Sequence, residues 1–357
     1  MKNSRIIICL CLIILNILSI LSIYSSLHQA QEFKNKELLY KQIIWITLGW
    51  IVLFASSFIN YRIYFDFSYF LYGINIFLLL VLEIFGKEIM GAKRWLTLGG
   101  INFQPSEISK LALLILLSRI FSSLDTSRIF LKKVSFPLIL VGINFFLIFH
   151  QPDLGTALIC LFLFFFIGFS SRLKKIYLII PLVSGILLSP LAWHFLKDYQ
   201  KKRLLVFLNP NMEPQGAGYT IIQSKIAIGS GRFFGKGFLS GTQNQFNFLP
   251  ERHTDFIFTV IAEEEGFLGS IFLIFIYYLL LKNILAIAQK AKDEFGLLLG
   301  KAITGLFFFQ IFVNLGMCIG ILPVVGIPFL FLSYGGTNLI MNFLMLGIIF
   351  NIEREND

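Results

Sequence analysis

Phe164-Phe165-Phe166 stands in the middle of residues 154–171, a stretch without a single charged side chain. A run of this kind needs a solvent that is itself apolar. Working outward, the same texture continues along the chain of 357 residues, which holds 41 Phe and is 57% hydrophobic but only 14% charged. Soluble domains carry about 25% charged residues, so an ordinary globular protein is excluded. The reading is an all-α polytopic membrane protein.

A helix needs ~20 apolar residues to cross the ~30 Å hydrocarbon core. Blocks of that kind lie at 5–27, 42–60, 67–86, 105–122, 134–150, 154–171, 176–195, 256–281, 297–318 and 327–350. About ten transmembrane helices are therefore expected. The first follows Lys2 and Arg5 and has no small-residue cleavage pattern, so it reads as an uncleaved anchor.

The net charge of +10 would elsewhere suggest nucleic acid. Here Lys and Arg are scattered between apolar blocks, as orientation signals are, and no nucleic-acid partner is expected. Arg62, Arg119, Arg128, Arg172, Lys282, Lys290 and Arg354 belong to one set of connecting segments, whereas the short loops of the other set carry fewer cations. That bias predicts N- and C-termini in the cytoplasm. Residues 196–255 then form one long extracytoplasmic loop between the seventh and eighth spans, within a single transmembrane domain of residues 1–357. Its cations, among them Lys197, Arg203, Arg232, Lys236 and Arg252, weigh less because long loops translocate regardless of charge. Cys9, Cys11, Cys160 and Cys318 sit in apolar stretches and read as small fillers.

A charge in the bilayer centre costs at least ~2.5–3.5 kcal/mol, so each polar residue near a span needs a reason. In Gln104-Pro105-Ser106-Glu107-Ile108-Ser109-Lys110, Pro105 suits a first helical turn, and Glu107 and Lys110 are spaced to pair on one face. They form either an internal ion pair or the lining of a polar cavity. Asp153, in Gln151-Pro152-Asp153, reads as a helix N-cap that also stands near an outer cavity. Asp255 closes the stretch Pro250-Glu251-Arg252-His253-Thr254-Asp255. It either caps the eighth span or acts as a base whose half-embedded carboxyl is tuned towards neutrality.

Glu263-Glu264-Glu265 lie further along the same span and cannot all face one cavity. The glycine-rich run Gly229 to Gly237 interleaves Arg232 and Lys236, a pattern suited to turns or to phosphate, but it is not a Walker motif. Ser333-Tyr334-Gly335-Gly336 reads as a small polar patch inside the last helix, with helix packing as its ordinary explanation.

With these residues in view, the chain resembles the shape, elongation, division and sporulation (SEDS) family. The resemblance runs from Arg94-Trp95-Leu96 through Gly218-Tyr219-Thr220 to Gly231, then Phe248 to Phe258 and Ala262-Glu263-Glu264, and ends at Ser333-Tyr334-Gly335-Gly336. It implies a peptidoglycan glycosyltransferase that polymerises lipid II into glycan strands at the outer face of the cytoplasmic (inner) membrane. It also implies a class B penicillin-binding protein, a transpeptidase, as partner, within the complex that elongates the cell and gives rod shape. The family's essential carboxylate falls on Asp255, its acid–base pair on Glu107 and Lys110, and its outer Asp on Asp153.

Under that resemblance Asp255 is the expected general base on the acceptor 4-hydroxyl, and undecaprenyl diphosphate is the leaving group. Arg203, Arg232, Lys236 and Arg252 are the expected cations for the developing diphosphate charge. No cofactor is fixed, although a divalent cation, Mg or Mn, would help there. A lipid II flippase, a scaffold for the transpeptidase and the division-specific member of the family are the alternatives. The few residues outside the first and last spans, Met1–Ser4 and Glu353–Asp357, favour elongation over division.

Overall fold

A computed structural model describes residues 2–28, 33–89, 92–98, 101–123, 130–195, 198–213, 216–246 and 248–356. Met1, Arg128, residue 196, Lys197 and Asp357 lie outside the described residues. In chain order the elements are α1 (Lys2–Leu27), α2 (Phe33–Ser57), α3 (Arg62–Asp66), α4 (Ser68–Phe85), strands β1 (Lys87–Ile89), β2 (Ala92–Leu98) and β3 (Ile101–Phe103), α5 (Pro105–Ser122), α6 (Phe130–His150) and α7 (Leu154–Ser170). They continue as α8 (Ile176–Phe195), α9 (Asp198–Leu208), α10 (Ala217–Ser230), α11 (Thr242–Gln245), α12 (Ile257–Glu264), α13 (Gly266–Ala288), α14 (Glu294–Ile319) and α15 (Gly336–Asn356).

The fold is a polytopic helical bundle. Among the described residues, six helices are both long and apolar enough to cross a membrane, and shorter apolar helices cover Val134–His150, Leu154–Ser170 and Ile176–Leu191. Helix α5 runs through the middle, packed against α4, α7, α14 and α15, and nearly all of its side chains are buried. That position explains how it carries polar residues without exposing them to lipid.

Lipid is as apolar as Leu, so burial alone does not drive these helices together; packing and interhelical hydrogen bonds do. Asn75 on α4 donates to Asn144 on α6 at 2.9 Å and accepts from Ser109 on α5 at 2.6 Å. Bonds of this kind contribute about 0.6 kcal/mol each.

One end of the bundle gathers both ends of the described chain. Arg5 pairs with Glu353, Tyr61 donates to Asp293 at 2.6 Å, and the Tyr61 amide donates to Asn351 at 2.8 Å. We call this the terminal end. The opposite, distal end carries the antiparallel sheet β1-β2-β3, an element the apolar pattern does not predict. It also carries α9 to α11, which give helical structure to much of the described part of the 196–255 segment.

Two expected spans are corrected. Residues 256–281 are not one helix: α12 stops at Glu264 and α13 begins at Gly266, whose φ is +65°. The break is stitched by the glycine-rich segment. Lys236 and Gly237 amides donate to the Glu263 and Glu264 carbonyls at 3.0 and 2.9 Å, and the Phe267 amide donates to the Arg232 carbonyl at 3.0 Å. Groups that helix ends leave unpaired are thereby satisfied. A Cβ at Gly266 would stand 2.2 Å from the Gly235 nitrogen, so only glycine admits this crossing.

The last span also begins later than expected, at Gly336. Phe331 to Gly335 is therefore not a patch within a helix but part of an irregular segment leading into it. Its backbone is held from outside: the Tyr334 amide donates to the His253 carbonyl at 2.9 Å, and Ser333 Oγ donates to the Thr254 carbonyl.

Candidate functional site

Asp255 lies in the turn that leads into α12, and it is not a cap. The residue preceding that helix is Phe256, and no side chain caps it. Its backbone carbonyl accepts from Asn314 Nδ2 at 2.8 Å, and the same nitrogen reaches the Ile327 carbonyl at 2.8 Å. The half-buried Asp255 carboxylate takes no hydrogen bond among the described residues, which leaves both oxygens to a ligand.

Its neighbours come from four separate parts of the chain. A Cβ placed on Gly326 would meet Asp255 Oδ2 at 3.6 Å and Arg94 Nη1 at 4.0 Å, so these two groups face each other across a glycine. Arg94, on β2, donates from Nη2 to the Pro152 carbonyl. Arg203, on α9, donates to the Val324 carbonyl at 3.3 Å. Burial, with the nearby charge of Glu251, pushes the Asp255 carboxyl up to about 6, while Arg94 and Arg203 pull it down. A carboxylate tuned in this way is ionised at neutral pH yet basic enough to take a proton.

Asp153 is buried at 2% exposure and caps α7. Its oxygens accept from the Thr156 amide at 3.2 Å and hydroxyl at 2.9 Å, and from Ser106 at 3.3 Å. Glu107 and Lys110 pair at 2.6 Å, both enclosed. Asn338 on α15 donates to Glu107 at 2.8 Å, and Asn342 donates to Asn338 at 2.9 Å. The pair therefore belongs to a polar ladder between α5 and α15.

Of the four cations expected around the diphosphate, only Arg203 faces Asp255. Lys236 is 2.7 Å from Glu263 and also donates to Thr242 at 2.8 Å. Arg252 donates to the Ser26 carbonyl at 2.8 Å, clasping the end of α1. Arg232 is exposed beside the α12–α13 break and has a φ of +51°.

Glu263 explains where Lys236 went. It is fully buried and also accepts from Asn244 Nδ2 at 2.7 Å and the Gln243 amide at 3.0 Å. The neighbouring Glu264 accepts from Ser25, and Glu265 is exposed. The three carboxylates thus take three different environments, as their angular spread requires.

Arg94 is the residue that sequence reasoning missed as a site candidate. Among the described residues its Nε is buried and without a partner, so they satisfy the guanidinium only in part. Arg94-Trp95-Leu96 opens the stretch that carries the family resemblance, but nothing in its local sequence points Arg94 at Asp255. Only the fold of the 151–153 turn and the 324–326 segment brings it to Asp255.

The FtsW/RodA/SpoVE family profile, described as cell cycle protein, matches residues 4–357. The peptidoglycan glycosyltransferase MrdB of Escherichia coli (strain K12) is 43% identical over 315 residues, 87% of this chain and 84% of that one. Among solved structures, a chain of a peptidoglycan synthase complex in which polymerization and crosslinking are coordinated superposes with a TM-score of 0.83 at 33% identity, covering 98% of this chain and 97% of the other. The rod shape determining protein RodA of Thermus thermophilus superposes with a TM-score of 0.73 at 30% identity, covering 98% and 96%.

Proposed function

Since the chain belongs to the FtsW/RodA/SpoVE (SEDS) family, we propose that it is a peptidoglycan glycosyltransferase that polymerises lipid II. The observation that carries the site assignment is the Asp255 carboxylate, without a hydrogen bond among the described residues, facing Arg94 across Gly326 with the charge of Arg203 nearby.

In the proposed reaction the 4-hydroxyl oxygen of a lipid II sugar attacks the anomeric carbon of a glycan chain carried on undecaprenyl diphosphate. The hydroxyl proton passes to Asp255. The bond from carbon to the diphosphate oxygen breaks, and its electron pair leaves with the diphosphate. A positioned base contributes roughly 10²–10⁴-fold. Arg94 and Arg203 are assigned to the charge that gathers on the leaving diphosphate, where preorganised donors lower the barrier. Asp153, Glu107 and Lys110 are assigned to shaping the wall beside the recess.

Among the described residues no three His, Cys, Asp or Glu gather as a metal cage. A divalent cation such as Mg or Mn would be held by Asp255 together with diphosphate oxygens, the usual mode for Mg, and would supply further charge neutralisation.

The distal end is proposed to face outward from the cytoplasmic membrane, which the bias of Lys and Arg supports. A class B penicillin-binding protein is the proposed partner, supported by the likeness to a synthase complex that couples polymerization to crosslinking. Cell elongation is the proposed role, supported by the likeness to a rod shape determining protein. The second reading is the FtsW-type division role, because the family profile spans both kinds of member. A flippase is disfavoured because Glu107 and Lys110 are enclosed and paired with each other rather than open to a passage.

The test is glycan polymerisation by purified protein given lipid II, with a partner that cannot itself polymerise. Polymer from the wild type and none from a folded Asp255→Ala supports both the activity and the base. Equal polymer from both keeps the activity and discards Asp255. No polymer from either, with the complex intact, rejects the polymerase.

A further inference from the structure

A mostly apolar cavity lies far from Asp255, at the terminal end. Helices α13 and α14, with Phe166 and Ser170 of α7, line this cavity of about 930 Å³, within the size range of ligand sites. Its floor is Phe166 of α7, lying against Gly305 of α14; a Cβ at Gly305 would stand 2.3 Å from that ring. Phe308 and Phe312 form an apolar wall.

The polar lining is confined to one end. Lys282 and Lys301 stand there, on the last turns of α13 and the first of α14. Neither lysine has a carboxylate partner among the described residues. The connection between these helices is tied to the chain termini through Lys292, which donates to the Glu355 carbonyl. The charged mouth therefore lies at the level of one membrane surface. From Lys301 to Leu315 the wall runs about 21 Å along α14, more than half the ~30 Å hydrocarbon core.

We propose that this groove binds a glycerophospholipid with an anionic headgroup, its phosphate between Lys282 and Lys301 and an acyl chain along Phe308 and Phe312. The occupant follows from charge and shape together. Two lysines without carboxylates, Lys282 lying 5.7 Å above the Tyr278 ring, stand beside an apolar slot and complement an anion that carries a hydrocarbon tail, whereas an uncharged helix would offer neither ammonium a counter-charge. Basic pockets between membrane helices recognise lipid headgroups on the same principle.

The full chain would be placed in nanodiscs containing phosphatidylglycerol and phosphatidylcholine, and retained lipid counted by native mass spectrometry after extraction. Preferential retention of phosphatidylglycerol is expected. The double variant Lys282→Gln/Lys301→Gln should weaken that retention about tenfold or more, and Lys290→Gln, an exposed lysine of the same connection, should leave it unchanged. Equal retention of both lipids, or undiminished phosphatidylglycerol in the double variant, overturns the proposal. So does a photocrosslinker at Phe308 that captures a partner's transmembrane helix in membranes instead of lipid.

Discussion

Asn314 holds the backbone of Asp255. One amide nitrogen donates at 2.8 Å to the Asp255 carbonyl and at 2.8 Å to that of Ile327. Residue 255 and the segment carrying Gly326 are thus fixed to the same point on α14. Replacing Asn314 by Leu removes the amide donor from both carbonyls, leaving Asp255 only the weak Cys318 Sγ contact at 3.7 Å and the buried Ile327 carbonyl unmet, a loss of about 1–3 kcal/mol. The variant should unfold at lower temperature and polymerise at least tenfold more slowly, while Asn314→Gln recovers less than full activity. Thermal unfolding beside a polymerisation assay measures both.

The Asp255 carboxyl, raised to about 6, must be ionised to act as a base. Polymerisation should therefore fall about tenfold per pH unit below 6 and level off above it. The stability sign is opposite. A carboxyl raised above its ordinary 3.8 favours the folded state most when protonated, and that contribution is lost as pH rises through about 6. Asp255→Asn should consequently be inactive yet more stable than wild type at pH 7.5, by about 1–3 kcal/mol. Equal melting temperatures at pH 7.5 would contradict the burial of this charge.

Arg94 reaches both the Pro152 carbonyl and the space above Gly326. Arg94→Ala should lower kcat about 10²–10³-fold, the scale for removing one preorganised donor. Removing a charge that holds Asp255 down should also move the acidic limb of the pH profile upward. A purely structural role for Arg94 would reduce activity without moving that limb.

Lys236 is expected to serve the fold rather than the diphosphate. With Glu263 fully buried and paired to it at 2.7 Å, Lys236→Met leaves a carboxylate uncompensated, at a cost of about 3–5 kcal/mol. The expected result is a lower melting temperature with KM for lipid II unchanged in whatever protein remains folded. A raised KM at full stability would return Lys236 to the substrate site.

Glu107→Gln should likewise destabilise, because Lys110 loses its counter-charge in an enclosed site. Lys110→Met in the same chain should restore part of the melting temperature, which a double-mutant cycle would read.

Much of this protein is written along the chain. The apolar runs of 154–171 and its fellows, interrupted by charged connections, are local patterns that any helix in lipid must show. Asp153 before Leu154 and Pro105 before Glu107 are likewise legible, since caps and first turns obey short-range rules. The i, i+3 spacing of Glu107 and Lys110 predicted their pairing for the same reason.

Only the tertiary structure decided the break at Gly266, the late start of α15 and the separation of Lys236, Arg252 and Arg232 from Asp255. Each depends on a segment distant in the chain: the glycine-rich loop that caps the break, the His253 carbonyl that holds Tyr334, the buried Glu263 that captures Lys236. Local sequence fixes periodicity and caps because those interactions span one helical turn. Which cation meets which carboxylate is settled by long-range packing, where Arg94 and Asp255, 161 positions apart in the numbering, come to face each other across Gly326.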